Sequence, residues 1–369
     1  MKLYIIAGEA SGDLHGSNLI KALKLQKPGL QCRVWGGELM QNAGGELVKH
    51  YRDLAFMGFV EVLKNLRTIF RNIAFCKKDI LDFQPDALVL IDYPGFNLRI
   101  AKWAKQQGIK VIYYISPQIW AWHTSRVHSI RRDVDKMLVI LPFEKDFYKK
   151  YEVEAEFVGH PLLDAVQQFR EKEGNHVATT VDVASRKLIV LLPGSRRQEV
   201  QRILPPMLEV TEDFPEYEFV VAAAASLPKE FYQPYLEKYP KVQWQQGQTY
   251  ELLSRARVAL IKSGTSTLET ALFDVPEVVC YAGSPISYHI ARRLVDIKYI
   301  SLVNLIMDRP LVRELIRMRG SLRRRCSSRL TPMKPSTPAT PPATIAPSCF
   351  VPALTKCSYT KWGVNMPTK

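Results

Sequence analysis

The sequence has no apolar run near the roughly 20 residues that a membrane-spanning helix requires, and its start, MKLYIIAGEASGD, turns polar early. A transmembrane span and a secretory signal are therefore not expected, and the cytoplasm is the expected location. Cysteine is scarce, six in 369 residues, and no two stand at a C-x-x-C spacing. That argues against a disulfide scaffold or a cysteine metal site, and Cys32, Cys76 and Cys280, set singly in apolar or helical contexts, are expected as buried thiols. Acidic residues are missing from residues 317–369, whose six Arg and four Lys carry ten of the chain's +15 net charge. The remaining +5 over residues 1–316 makes a mildly basic body, so nucleic acid is not an expected partner.

What the chain does have is alternation. LYIIA (3–7), CRVWG (32–36), ALVLI (87–91), KVIYYI (110–115), KMLVIL (136–141) and AEFVG (155–159) read as strands separated by helical stretches. One such helix is Phe96 to Gln107, closed by Gly108. A second set follows: LIVLLPG (188–194), YEFVVAAA (217–224), KVQWQQ (241–246), VALIKSG (258–264) and EVVCYAG (277–283). The expected fold class is α/β, with two Rossmann-like domains in tandem over residues 1–165 and 186–316. The polar, aperiodic segment 164–186 is the expected linker, and the Arg/Pro/Ser-rich stretch 317–369 is expected to be a disordered tail.

In the second domain, the strand Val258 to Ile261 runs into Lys262-Ser263-Gly264-Thr265-Ser266 and then a helix, Thr267 to Phe273. Glycine admits a ligand close to the backbone, and the first N–H groups of a helix favour a diphosphate. The hydroxyls of Ser263, Thr265 and Ser266 add donors, and Glu269 suits two ribose hydroxyls; a plain capping box, Ser266-x-x-Glu269, is the competing explanation. Gly194-Ser195-Arg196 follows the first strand of the same domain and so falls at the same carboxyl edge. Arg196 is placed to neutralise a leaving group, unless the loop is only a solvated basic turn.

The first domain opens differently. Gly8-Glu9-Ala10-Ser11-Gly12-Asp13 joins a strand to a helix, and the carboxylates of Glu9 and Asp13 suit sugar hydroxyls better than phosphate. Ser11 and His15 are nearby donors, while Asp13 could serve only its helix. Asp92 ends the strand ALVLI and is the candidate base for an attacking hydroxyl, or else a helix cap. Between Met57 and Lys78, Phe59, Val62, Leu63, Leu66, Ile69, Phe70 and Ile73 recur at helical spacing, with Lys64, Arg67, Arg71, Lys77 and Lys78 beside them. That combination suits a helix on an anionic membrane, or an amphipathic helix packed on its own domain.

Eight blocks in order resemble the lipid-A-disaccharide synthase family: GEASGD (8–13), MGFVEVL (57–63), IDYPGFN (91–97), SPQIWAW (116–122), LPFEKDFY (141–148), FVGHPLLD (157–164), LPGSR (192–196) and SGTSTLE (263–269). The resemblance implies a GT-B type glycosyltransferase, two Rossmann-like domains facing a cleft. It would transfer 2,3-diacylglucosamine from UDP-2,3-diacylglucosamine to 2,3-diacylglucosamine 1-phosphate with inversion. The products would be the β-1,6 disaccharide of lipid A biosynthesis and UDP. No metal or cofactor is implied. The work would be done at the cytoplasmic surface of the inner membrane, with a homodimer left open.

By the same resemblance, Gly194, Ser195, Arg196, Ser263, Gly264, Thr265 and Glu269 would hold the UDP-sugar, with Asn304 near its diphosphate. Glu9, Ser11, Asp13 and His15 would line the acceptor side, and the helix 57–78 would touch the membrane. Gly95 stands where many members carry a second aspartate, which leaves Asp92 as the carboxylate for catalysis. The resemblance stops near residue 316, where composition and charge change together, as a frameshift would produce. Two other readings compete: a UDP-sugar epimerase on the same fold, and a non-enzymatic protein whose basic tail grips lipid or nucleic acid.

Overall fold

The computed structural model describes residues 1–54, 66–121, 123–172, 186–224, 226–282 and 298–317. They fall into two compact units, divided between Pro161 and Leu162. Residues 318–369 of the expected tail lie outside the described residues, as do Phe59, Val62 and Leu63 of the expected membrane helix.

The first unit is a parallel sheet of seven strands among the described residues: β1 (Lys2–Ala7), β2 (Gln31–Gly36), β3 (Glu46–His50), β4 (Ala87–Ile91), β5 (Lys110–Tyr114), β6 (Lys136–Val139) and β7 (Ala155–Phe157). Their order is β3-β2-β1-β4-β5-β6-β7, so the chain winds outward from β1, returns, and winds the other way from β4. The central strands are apolar on both faces because helices cover both; every residue of β4 is buried. A buried relay ties the sheet to the helix Leu66–Phe83: Trp35 Nε1 donates to the Tyr4 hydroxyl (2.7 Å), which donates to Asp79 Oδ2 (2.7 Å).

That helix corrects part of the membrane expectation. Ile73, Cys76 and Ile80, spaced three and four apart, are buried in the core of the unit, and Ile69 packs against it. Ile69 and Ile73 therefore hold the helix to its own sheet. Phe70, 62% exposed, lies on the outer face with Arg67 and Arg71.

The second unit repeats the winding. Strands β8 (Leu188–Leu192), β9 (Glu218–Ala223), β10 (Gln243–Gln246), β11 (Val258–Lys262), β12 (Glu277–Ala282) and β13 (Arg313–Arg317) lie parallel in the order β10-β9-β8-β11-β12-β13. The expected linker is in part a helix, Leu162–Lys172, which packs on this unit. Phe169 meets Tyr250 and Phe273 edge-on at centroid distances of 5.6 and 5.7 Å, and Arg170 donates to the Leu272 carbonyl. Cys32, Cys76 and Cys280 are buried free thiols, as their apolar settings suggest.

Candidate functional site

In an open parallel sheet wound in both directions, the loops after the two strands at the reversal point splay apart and leave room for a ligand. That point falls between β1 and β4 in the first unit and between β8 and β11 in the second. The singled-out turns follow these four strands: Gly8–Asp13, Asp92–Asn97, Gly194–Arg196 and Ser263–Ser266.

At the first edge the backbone is strained. Asp92 and Tyr93 have φ of +43° and +49°, a left-handed conformation that is costly for any residue with a Cβ. Its surroundings over-determine it. The Asp92 N–H donates to the Ile115 carbonyl (3.2 Å), and the Asp92 carbonyl accepts from Asn97 Nδ2 (2.8 Å) and the Tyr113 hydroxyl (2.6 Å). The Tyr93 hydroxyl donates to the Leu54 carbonyl (3.1 Å). Gly8 must be glycine here, since a Cβ would come within 2.3 Å of the Tyr93 ring. A Cβ at Gly95 would meet nothing within 4 Å.

Glu9 precedes the helix Ala10–Gln26 as its N-cap residue, and Ser11 is exposed. Asp13 is engaged by the neighbouring backbone. Its carboxylate, 2% exposed, accepts from the N–H groups of Gly37 (2.7 Å), Met40 (3.0 Å) and Leu39 (3.2 Å). It thus caps the neighbouring helix Glu38–Asn42 and fastens β2 to the edge. His15 is half-buried, and burial lowers its pKa to about 4. His160 is 4% exposed; burial, with His15 adding to it, lowers its pKa to about 3. Both are neutral imidazoles at physiological pH.

Glu144 is a group that sequence reasoning did not single out. It is 1% exposed, and burial raises its pKa to about 7 against the pull of hydrogen bonds from the Leu141 and Ile140 N–H groups. Nearby, the Ser116 and Tyr148 hydroxyls are 2.7 Å apart. Two of the sequence blocks, SPQIWAW and LPFEKDFY, therefore meet inside the first unit, and Glu144 three residues after Leu141 is a capping-box signal for it.

The second edge is built from glycine, hydroxyls and cations. Gly194 has φ +110°, and a Cβ there would strike Glu199 Oε2 at 2.7 Å. Glu199 accepts weakly from the N–H groups of Ser195 (3.3 Å) and Arg196 (3.4 Å), and lies 2.9 Å from Lys262 Nζ at the end of β11. Burial works to raise the Glu199 pKa, but the Lys262 and Arg196 charges carry it below the usual value. The two expected anion loops are thereby joined. Thr265 is exposed, and Glu269 Oε1 accepts from the Tyr250 hydroxyl at 3.2 Å. Burial raises the Glu269 pKa.

Two residues expected as ligands of this edge make hydrogen bonds within the unit. Ser263 donates its hydroxyl to the Ile300 carbonyl (2.9 Å) and its N–H to the Cys280 carbonyl (3.1 Å). Asn304, 1% exposed, gives Nδ2 to the Val312 carbonyl (2.8 Å) and Glu314 Oε1 (2.9 Å), while Oδ1 accepts from the Val312 N–H (2.9 Å). Glu314 in turn accepts from the Ile300 and Ser301 N–H groups. Asn304 therefore reaches the Ser263 loop through Glu314 and Ile300.

Comparison with known proteins agrees with this architecture. Residues 3–330 match the family profile described as Lipid-A-disaccharide synthetase. A curated relative, the lipid-A-disaccharide synthase of Trichlorobacter lovleyi, is 41% identical over 326 residues, covering 87% of this chain and 85% of its own. Among solved structures, a UDP-GlcNAc 2-epimerase from Neisseria meningitidis bound to UDP-GlcNAc superposes with TM-score 0.59 at 14% identity, over 95% of this chain and 98% of that one. A glycotransferase of kitacinnamycin gives 0.57 at 13% identity, over 92% and 91%. Likeness at such low identity speaks to the fold alone, a pair of Rossmann-like sheets of the GT-B kind. Family profile and relative together decide the rest: the chain belongs to the lipid-A-disaccharide synthetase family, glycosyltransferases of lipid A biosynthesis.

Proposed function

We propose that the chain transfers 2,3-diacylglucosamine from UDP-2,3-diacylglucosamine to the hydroxyl of 2,3-diacylglucosamine 1-phosphate, inverting the anomeric carbon and releasing UDP. The observation that carries this reading is the meeting of the Gly194–Arg196 and Lys262–Ser266 loops at the reversal point of the second sheet. Backbone N–H groups, Arg196 and Thr265 there suit a diphosphate, whose charge grows as UDP leaves. Glu269 takes ribose hydroxyls, and Asn304 and Ser263 keep the loop in shape. Asp92, on its strained turn, takes the proton of the attacking hydroxyl. Glu9, Ser11 and His15 line the acceptor side, where a neutral imidazole can donate or accept a hydrogen bond without adding charge.

Both substrates carry acyl chains, so the enzyme works at the inner-membrane surface. Among the described residues no helix is long and apolar enough to cross a membrane. Contact is peripheral, through the exposed Phe70 and its flanking Arg67 and Arg71. The test is UDP release in detergent micelles with both acylated substrates, followed by identification of the disaccharide. Release that does not depend on the acceptor, or conversion of soluble UDP-N-acetylglucosamine to an epimer, would sink the proposal.

A further inference from the structure

Lys262 is the last residue of β11, and its side chain reaches the neighbouring loop. Its Nζ is 2.9 Å from Glu199 Oε1, and the two side chains are only 25% and 20% exposed. The same carboxylate also draws in Arg196 and two loop N–H groups. Arg196 Nη1 is 3.8 Å from Oε1, and Oε2 faces the Ser195 and Arg196 N–H groups at 3.3 and 3.4 Å. Two cations and two loop N–H groups thus converge on one acid beside a glycine. That is the composition of a phosphate cradle at a helix N-terminus, the helix being Arg197–Thr211.

A capping box accounts for Glu199 by itself, since Glu199 is the third residue of that helix. It does not account for a lysine sent across from another strand. Nor are the backbone bonds strong ones, both being longer than the usual 2.9–3.0 Å of an N–H to oxygen bond. The carboxylate is a modestly held occupant of a place whose surroundings favour an anion of higher charge.

We propose that Lys262 is a further donor-binding residue, a phosphate-binding cation that Glu199 holds in position and yields to the diphosphate of the nucleotide sugar. This rests on the reading of the second edge as the UDP-sugar site. Binding exchanges the Lys262–carboxylate pair for a Lys262–phosphate pair, and no covalent bond changes. The diphosphate has more charge and more acceptor oxygens than one carboxylate, so the exchange runs toward the ligand. Glu199 stays close to the bound diphosphate, and its repulsion limits affinity and speeds the departure of UDP once the sugar has gone.

Calorimetric titration of the full chain with UDP, and with uridine as a phosphate-free control, tests this. Lys262→Met is expected to weaken UDP binding about tenfold while Lys262→Arg holds it within about threefold, neither altering uridine binding. Glu199→Gln keeps an acceptor for the loop N–H groups and removes the charge, and is expected to tighten UDP about fivefold. The proposal is overturned if Lys262→Met leaves UDP affinity within about twofold of the parent, or if Glu199→Gln weakens it. Should Lys262→Met melt below the assay temperature, Lys262→Gln carries the same two outcomes. A parent protein that binds neither UDP nor uridine refutes the donor-site reading itself, which separates that failure from this one.

Discussion

The two units wind their sheets in the same order, yet the edges at their reversal points are chemically opposite. The first presents Glu9, Asp13, Asp92 and two neutral histidines around a strained turn; the second presents Arg196 and Lys262 around glycines and hydroxyls. Topology explains where a ligand can sit in each, and the side chains explain which. An edge of carboxylates repels phosphate and suits sugar hydroxyls, while an edge of cations and N–H groups does the reverse. Even the exceptions follow the division, since Glu199 on the cationic edge is paired and Asp13 on the acidic edge is spent on a helix cap.

The sharpest way to break this comparison is to remove the charge of Asp92. Asp92→Asn keeps the shape and the backbone bonds of the turn, and should lower kcat by about 10²–10⁴-fold, the usual contribution of a general base. UDP affinity, read by titration, should not move, because the proposed nucleotide site lies on the other edge. A matching loss of UDP binding would show that the two edges do not divide the work in this way.

Proton linkage runs the same way in the two units. Glu144 of the first unit has its pKa raised by burial from 4.5 to about 7, so the folded state binds more protons than the unfolded chain between those values. Its contribution to stability is thus full below the unfolded pKa and is lost as pH rises through about 7. Urea melts from pH 4.5 to 8 should show a decline in which this group accounts for on the order of 3 kcal/mol. Glu144→Gln should remove that share. Glu277 at the start of β12 points the same way, with both carboxylate oxygens buried and a pKa raised well above its ordinary value by burial. A Glu144→Gln profile parallel to that of the parent would show Glu144 ionised in the folded chain.

On the second edge a brace accompanies the charges. Asn304→Ala strands the Val312 backbone groups and one Glu314 oxygen, and should destabilise the protein by about 2–3 kcal/mol in equilibrium unfolding. If Asn304 acts only by holding the Ser263 loop, KM for the nucleotide sugar should rise severalfold with kcat nearly unchanged. A fall in kcat alone would restore Asn304 to direct contact with the diphosphate.

How much of this could be read without a structure follows from sequence distance. β1, β4, β8 and β11 are apolar runs ending in glycine or aspartate turns, and their place at the edge follows from parallel winding. β3 (ELVKH) and β13 (RELIR) escaped notice because edge strands carry charge, and β13 sits where the composition begins to change. The helix Leu162–Lys172 looked like a linker because only Leu162 and Val166 are fully buried and the aromatic Phe169 supplies the rest of the packing. Glycine loops announce a site locally, but what each polar side chain is committed to does not. Asp13 is spent on Gly37, Ser263 on Ile300 and Lys262 on Glu199, all far along the chain.

The smallest expected effect concerns Gly95, where the family resemblance implies a second aspartate. The site is prepared for a side chain, since a Cβ meets no atom within 4 Å and φ is not left-handed. Position 95 lies in the first turn of the helix Pro94–Gln106, where a carboxylate favours the helix dipole, and Arg99 already reaches the Gly95 carbonyl. Gly95→Asp should therefore leave stability within about 0.5 kcal/mol of the parent. Three residues from Asp92, the new carboxylate belongs to the same acidic edge, and in an Asp92→Asn background it should recover about tenfold of the lost kcat. No recovery from a well-folded double variant would confine the base to position 92, and the acidity of the edge would then be a matter of binding the acceptor rather than of taking its proton.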